Sequence, residues 1–219
     1  MSLEFAGQNT LIVVAHQDDE SLYFGGLLCE LANASPTNHI TIACMTEPMP
    51  GRKDTLTRIE AFKKVCALLS ADYRIYNFKD YNHVPWKQVK YQLQDMQATV
   101  TNLIQEIQPQ AIFTPNKLGE PNPNYTSKNE YNWWQRLSLS HQKKYQGHIT
   151  HKLVHKAVTR AAQKQQISTY KPCVGLKKFK YEIYYNMHHK KALLDCYLPQ
   201  WSPKNYGFCY LPEKYSLVK

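Results

Sequence analysis

Thr10-Leu11-Ile12-Val13-Val14-Ala15-His16-Gln17-Asp18-Asp19-Glu20 is the stretch on which the reading of the fold turns. Its first six residues are mostly apolar, rich in β-branched side chains and do not alternate, as expected of a strand covered on both faces of a parallel sheet. The run ends abruptly in one imidazole and three carboxylates. Downstream, Ser21 to Ala34 carries Leu22, Phe24, Leu27, Leu28 and Leu31 at helical spacing, and Ile40 to Met45 is a second strand candidate. The unit is strand, helix, strand.

That unit repeats. Asp54 to Ser70 has helical periodicity, Tyr73 to Phe78 a strand pattern, Pro85 to Ile107 a long helical one, and Ala111 to Thr114 is a fourth strand. The alternation predicts an α/β, Rossmann-like three-layer fold with a mostly parallel central sheet and helices on both faces. Ligands of such sheets bind beyond the carboxyl ends of the strands. His16 to Glu20 and Pro115 to Glu120 belong to that edge. His148 to Gln163 reads as a further helix, Lys180 to Tyr185 as a late strand and Lys190 to Tyr197 as a short helix, followed by an irregular, Pro-containing tail.

At 219 residues the chain fits a single domain, 1–219, with an insertion at about 121–144 that is polar and aromatic. A 43% hydrophobic and 20% charged composition is that of a globular protein, and no apolar run approaches the length of a transmembrane segment. Met1 to Val14 lacks the pattern of a secretory signal, and six cysteines without any Cys-x-x-Cys spacing read as free thiols. A cytoplasmic location is expected. The net charge of +10 favours anionic partners, and nearly half of the 27 lysines and arginines lie from Thr150 onward. A basic stretch such as Lys177 to Lys180 reads first as a solvated face, so no obligate nucleic-acid partner is expected. A homo-oligomer is compatible with the sequence.

His16 and Asp19, three residues apart after a strand, combine the imidazole and carboxylate ligands that zinc accepts, and a third protein ligand would leave one position for water. The candidate lies in His148-Ile149-Thr150-His151, where a helix start would set both histidines on one face. Two histidines and a carboxylate also describe sites for Fe2+. Taken singly, a His-x-x-Asp turn is more often a cap or turn feature than a ligand pair.

Val13 to Glu20 resembles the Ala-His-Pro-Asp-Asp-Glu motif of the zinc-dependent PIG-L/LmbE-like N-acetylglucosaminyl deacetylase family. Gly147 to His151, with Ala157-Val158, resembles that family's Gly-His-Pro-Asp-His motif. Arg58 and Glu60 match a basic and acidic pair on its second helix, Thr114 to Glu120 the stretch leading to the second motif, and Lys191-Ala192-Leu193 with Tyr197 and Gln200 its C-terminal pattern. The resemblance implies a Zn2+ ion on His16, Asp19 and His151, Asp18 as general base, His148 as acid or oxyanion stabiliser, and Arg58 as a holder of substrate oxygens. The implied substrate is a small-molecule or glycan amide of N-acetylglucosamine type. Within the insertion, Trp133 and Trp134 are candidates to stack on a sugar face.

Two positions depart from the family pattern. Gln17 replaces a proline, and Thr150 replaces the aspartate between the two histidines. A threonine gives no charge to hold His148 protonated. The alternative is therefore a catalytically weakened sugar- or polyanion-binding protein of the same fold.

Overall fold

The computed structural model describes residues 7–35, 37–46, 55–80, 88, 91–116, 149–172, 181–198 and 213–218. In chain order the elements are β1 (Asn9–Val14), α1 (Asp19–Ala34), β2 (His39–Thr46), α2 (Thr55–Leu68), β3 (Asp72–Phe78), α3 (Leu93–Ile107), β4 (Ala111–Phe113), α4 (Ile149–Lys164), β5 (Ser168–Pro172), β6 (Tyr181–Ile183), α5 (Met187–Asp195) and β7 (Glu213–Leu217). Seven strands form one sheet in the order β3-β2-β1-β4-β5-β7-β6. The first five are parallel, and β7 runs antiparallel to both β5 and β6. The expected α/β architecture is present.

β1 lies at the centre because its side chains have no polar face to offer water. Ile12 and Val14 join the core under α1, α2 and α5, and Leu11, Val13 and Ala15 join the core under α3 and α4. Leu11 to Ala15 are all fully buried. The strand order reverses at β1, with β2 and β3 on one side and β4 and β5 on the other. The loop that leaves β1 therefore opens at the topological switch point, where this class of sheet holds its ligands. Among the described residues no helix is long and apolar enough to cross a membrane.

Two strands were not read in the sequence. β5 contains Lys171 and Pro172, and β7 spans Glu213 to Leu217 inside the stretch expected to be irregular. Both are five residues long and lack an apolar run, so only their partners reveal them. The short helix expected from Lys190 begins at Met187 instead, because the Asn186 side chain caps it by accepting from the His188 N–H at 2.9 Å.

The tail is tied into the middle of α1. Glu213 accepts from the N–H groups of Gly26 at 2.8 Å and Leu27 at 2.9 Å, and it pairs with Lys190. Lys190 also donates to the carbonyl of Leu22 at 3.1 Å, and the Tyr215 hydroxyl lies 2.9 Å from that of Tyr23. In a regular helix those carbonyls serve the N–H groups of residues 26 and 27. Three side chains of the late chain thus share the ladder of α1 at its midpoint.

Close approach makes Gly26 obligatory. A Cβ added there would lie 2.1 Å from the Tyr185 ring. Gly to Ala inside a helix ordinarily stabilises by about 0.8–1.0 kcal/mol, whereas overpacking a core costs about 1–3 kcal/mol. Gly26→Ala is therefore expected to lower the urea midpoint. An unchanged or raised midpoint would show that Tyr185 yields without cost.

Candidate metal centre

The turn after β1 is held by its own side chains. Asp19 Oδ2 accepts from the backbone N–H of Ala15 at 3.2 Å and of His16 at 2.9 Å, and the Asp18 carbonyl accepts from Ser21 and Leu22 as α1 begins. Asp18 has φ 128°, a region that L-residues rarely adopt and that costs about 1–3 kcal/mol unless the surroundings impose it. Here they do. Glu20 accepts from the Asp18 N–H at 3.0 Å, and it is itself fixed by the hydroxyls of Ser21 at 2.8 Å and Tyr197 at 2.7 Å. Gln17, in the place of the family's proline, donates to the Thr46 carbonyl at 2.9 Å and so ties the turn to β2.

Around this turn three donor atoms converge. His16 Nδ1 is 3.0 Å from His151 Nε2 and 3.5 Å from Asp19 Oδ2, and His151 Nε2 is 3.3 Å from the same Asp19 oxygen. His151 comes from the first turn of α4, on the far side of the switch point. A tetrahedral zinc site with bonds of about 2.0–2.2 Å has edges of about 3.3–3.5 Å between ligand atoms. Two of the three edges, 3.3 and 3.5 Å, match that triangle, and the His16–His151 edge, at 3.0 Å, is shorter. Two imidazole nitrogens and a carboxylate oxygen within one ion's reach are a donor set that fits a divalent metal ion.

The same contacts shift the titration of these groups. Burial by itself would depress His16, but its hydrogen bonds to the carboxylates of Asp19 and Asp80 push it up to about 10. Burial would lift Asp19, yet His151 and His16 hold its carboxyl far below the usual range. Burial also lifts Asp18, to about 6, with the Arg58 guanidinium as the main restraint. Glu20 is lifted to about 7 by burial, against the hydrogen bond from Tyr197.

The structure thus brings together His16, Asp18, Asp19 and His151, and Arg58 from α2 donates to Asp18 Oδ2. His148, Trp133 and Trp134 lie outside the described residues. Glu60 is exposed. In the C-terminal pattern Tyr197 reaches Glu20, while the buried lysine is Lys190 and not Lys191, which pairs with Asp195 at the surface. Sequence reasoning missed Asp80, a buried acid beyond β3 whose Oδ1 is 3.2 Å from His16 Nε2. Its one visible signal is position, since it follows a strand at the same sheet edge as His16.

A family model described as PIG-L, GlcNAc-PI de-N-acetylase, matches residues 11–130, more than half of the chain. The chain belongs to the PIG-L family. The matched stretch contains His16, Asp18, Asp19 and Arg58; His151 lies beyond it and is brought in by the fold. This is a deacetylase-like family of metal-dependent enzymes, and the PIG-L chain described above carries a His/Asp site to match. Solved structures share the fold. The N,N'-diacetylchitobiose deacetylase from Pyrococcus horikoshii superposes with a TM-score of 0.68 at 14% identity, over 96% of this chain and 83% of that one. The zinc-inhibited form of teicoplanin deacetylase Orf2 gives 0.67 at 12% identity, over 96% and 98%. The 4-carboxy-2-hydroxymuconate hydratase GalB from Pseudomonas putida gives 0.67 at 13% identity, over 97% and 96%. No curated protein matches this PIG-L chain in sequence.

Proposed function

We propose that the chain is a zinc-dependent hydrolase that removes the acetyl group from an N-acetylglucosamine-type sugar carried on a glycolipid, oligosaccharide or sugar conjugate. The observation that carries this reading is the triangle of His16, Asp19 and His151, with the carboxylate of Asp18 on the adjacent residue. His16, Asp19 and His151 would hold the ion. Held there, zinc would lower the pKa of water from about 15.7 towards 7 and would polarise an amide carbonyl. Fe2+ suits the same ligands.

The chain's own residues supply the proton transfers. Asp18, lifted towards neutrality by burial, is suited to accept a proton from the attacking water, and its pairing with Arg58 holds the carboxylate in one orientation. His148, assigned by its motif alone, would stabilise the tetrahedral oxyanion and pass a proton to the departing amine. Arg58 is also the residue proposed to meet substrate oxygens, and Trp133 and Trp134 to stack on the sugar. The net charge of +10 suits a substrate bearing phosphate or another anion.

Because the same fold carries a hydratase, the fold alone does not select amide hydrolysis. The test is acetate release by Zn2+-reconstituted protein from a panel of N-acetylglucosamine glycolipids, oligosaccharides and conjugates. Acetate and free amine are expected in equal amounts, lost on chelation and restored by Zn2+. Protein that holds one metal ion per chain, binds members of the panel and releases no acetate from any would replace this reading with the binding-protein one.

A further inference from the structure

Thr150 stands where the family motif has an aspartate. The Thr150 hydroxyl, fully buried in the first turn of α4, donates to Asp80 Oδ1. The same Asp80 oxygen is 3.2 Å from His16 Nε2. Asp80 is therefore a buried carboxylate between a metal-site histidine and a hydroxyl from the opposite side of the switch point. Its backbone approach is fixed as well. Gln92, at the start of α3, accepts from the Lys79 N–H at 2.6 Å and donates to the Lys79 carbonyl at 3.2 Å, clamping the residue just before Asp80.

The consequence concerns which nitrogen of His16 faces the metal. A neutral imidazole has one N–H and one lone pair, and the partner of one nitrogen decides the state of the other. With the ring's proton on Nε2, the nitrogen that faces Asp80 at 3.2 Å, the Nδ1 lone pair points to His151 Nε2 and Asp19 Oδ2, the atoms of the metal triangle. Carboxylates in this relation to a metal-bound histidine orient the ring and raise its basicity, and their loss typically costs about 10–100-fold in metal affinity.

We propose that Asp80 is the positioning residue for His16 and that Thr150 acts through it, so that the hydroxyl which replaces the motif's aspartate holds the carboxylate of another strand's loop. The inference rests on the metal-site reading above. Asp80 orients the ring, and Thr150 fixes the Asp80 rotamer.

Zn2+ affinity, measured by competition with a chromogenic chelator, separates the two readings. For the wild-type chain one tight site is expected, abolished in His16→Ala. Asp80→Ala is expected to weaken Zn2+ by about 10–100-fold and to shift the visible spectrum of the Co2+ form, and Asp80→Asn, which keeps an acceptor oxygen, to recover most of the affinity. Thr150→Val should weaken binding severalfold in the wild-type background and have no effect in the Asp80→Ala background, since residues acting in series are not additive. The double variant Asp80→Ala/Thr150→Val leaves no buried hydroxyl stranded, and its thermal melt without metal serves as the folding control. Should Asp80→Ala misfold, the double variant's Zn2+ affinity decides in its place. Zn2+ bound tightly by wild type and by Asp80→Ala or the double variant alike, or a Thr150→Val effect that persists without Asp80, overturns the positioning role while leaving the metal site standing. No Zn2+ bound by wild type overturns both.

Discussion

Asp18→Asn is expected to lower kcat for acetate release by about 10²–10⁴-fold while the protein keeps its metal. The amide is nearly isosteric with the carboxylate and can still face Arg58, so the turn survives. What it loses is the capacity to take a proton. The three atoms of the metal triangle come from other residues, and Zn2+ content should therefore stay at one per chain. This separation is the informative part. A base operates on the water, so its removal falls on kcat and leaves substrate binding near its original strength. If Asp18→Asn retained more than a tenth of the wild-type rate, the base would have to be sought elsewhere, and buried Glu20, lifted to about 7 and hydrogen-bonded to the Asp18 N–H, would be the next candidate.

Glu213→Ala is expected to destabilise the fold by about 3–5 kcal/mol, the usual cost of removing one partner from a buried ion pair. The reasoning follows what the carboxylate leaves behind. Lys190, 1% exposed, loses the carboxylate that faces its ammonium, and the N–H groups of Gly26 and Leu27 lose an acceptor in the middle of α1. The Tyr215 hydroxyl, 2.6 Å from Glu213, loses a neighbour as well. Replacing both partners with neutral groups of similar shape avoids the stranded charge. Lys190→Met/Glu213→Gln should accordingly unfold at a higher urea concentration than Glu213→Ala. A loss below about 1 kcal/mol in Glu213→Ala would mean that water reaches Lys190, as at an exposed pair. Since α1 carries Asp19 in its first turn, the same variant is expected to weaken Zn2+ binding without any change at the metal centre itself.

The mutual support of these residues explains how a short, acid-rich turn persists. Asp18 at φ 128° is held from below by Glu20, Glu20 by Tyr197 of the late chain, and α1 by Glu213 and Lys190. The C-terminal region contributes side chains to the helix behind the metal site, although none of its described residues belongs to the metal triangle.

Elements with strong local periodicity were legible in the sequence. β1, β2, α1 and α2 follow from apolar runs and helical spacing, because a strand buried on both faces must be apolar throughout and a helix must place its apolar residues on recurring turns. β5 and β7 were not legible, since a five-residue strand with lysine, proline or glutamate gains its identity from the partners it pairs with. In the site, the two motifs carried His16, Asp18, Asp19 and His151 as candidates, through the joint occurrence of a His-x-x-Asp turn after a strand and a His-x-x-His pair at a helix start. Their convergence is a tertiary fact. His16 and His151 are 135 residues apart, and only the reversal of strand order at β1 brings their nitrogens to 3.0 Å. Asp80 and the partner of Thr150 were invisible for the same reason. A single aspartate after an edge strand has no pattern around it, and its role comes from the two groups that meet its one oxygen from opposite sides of the cleft.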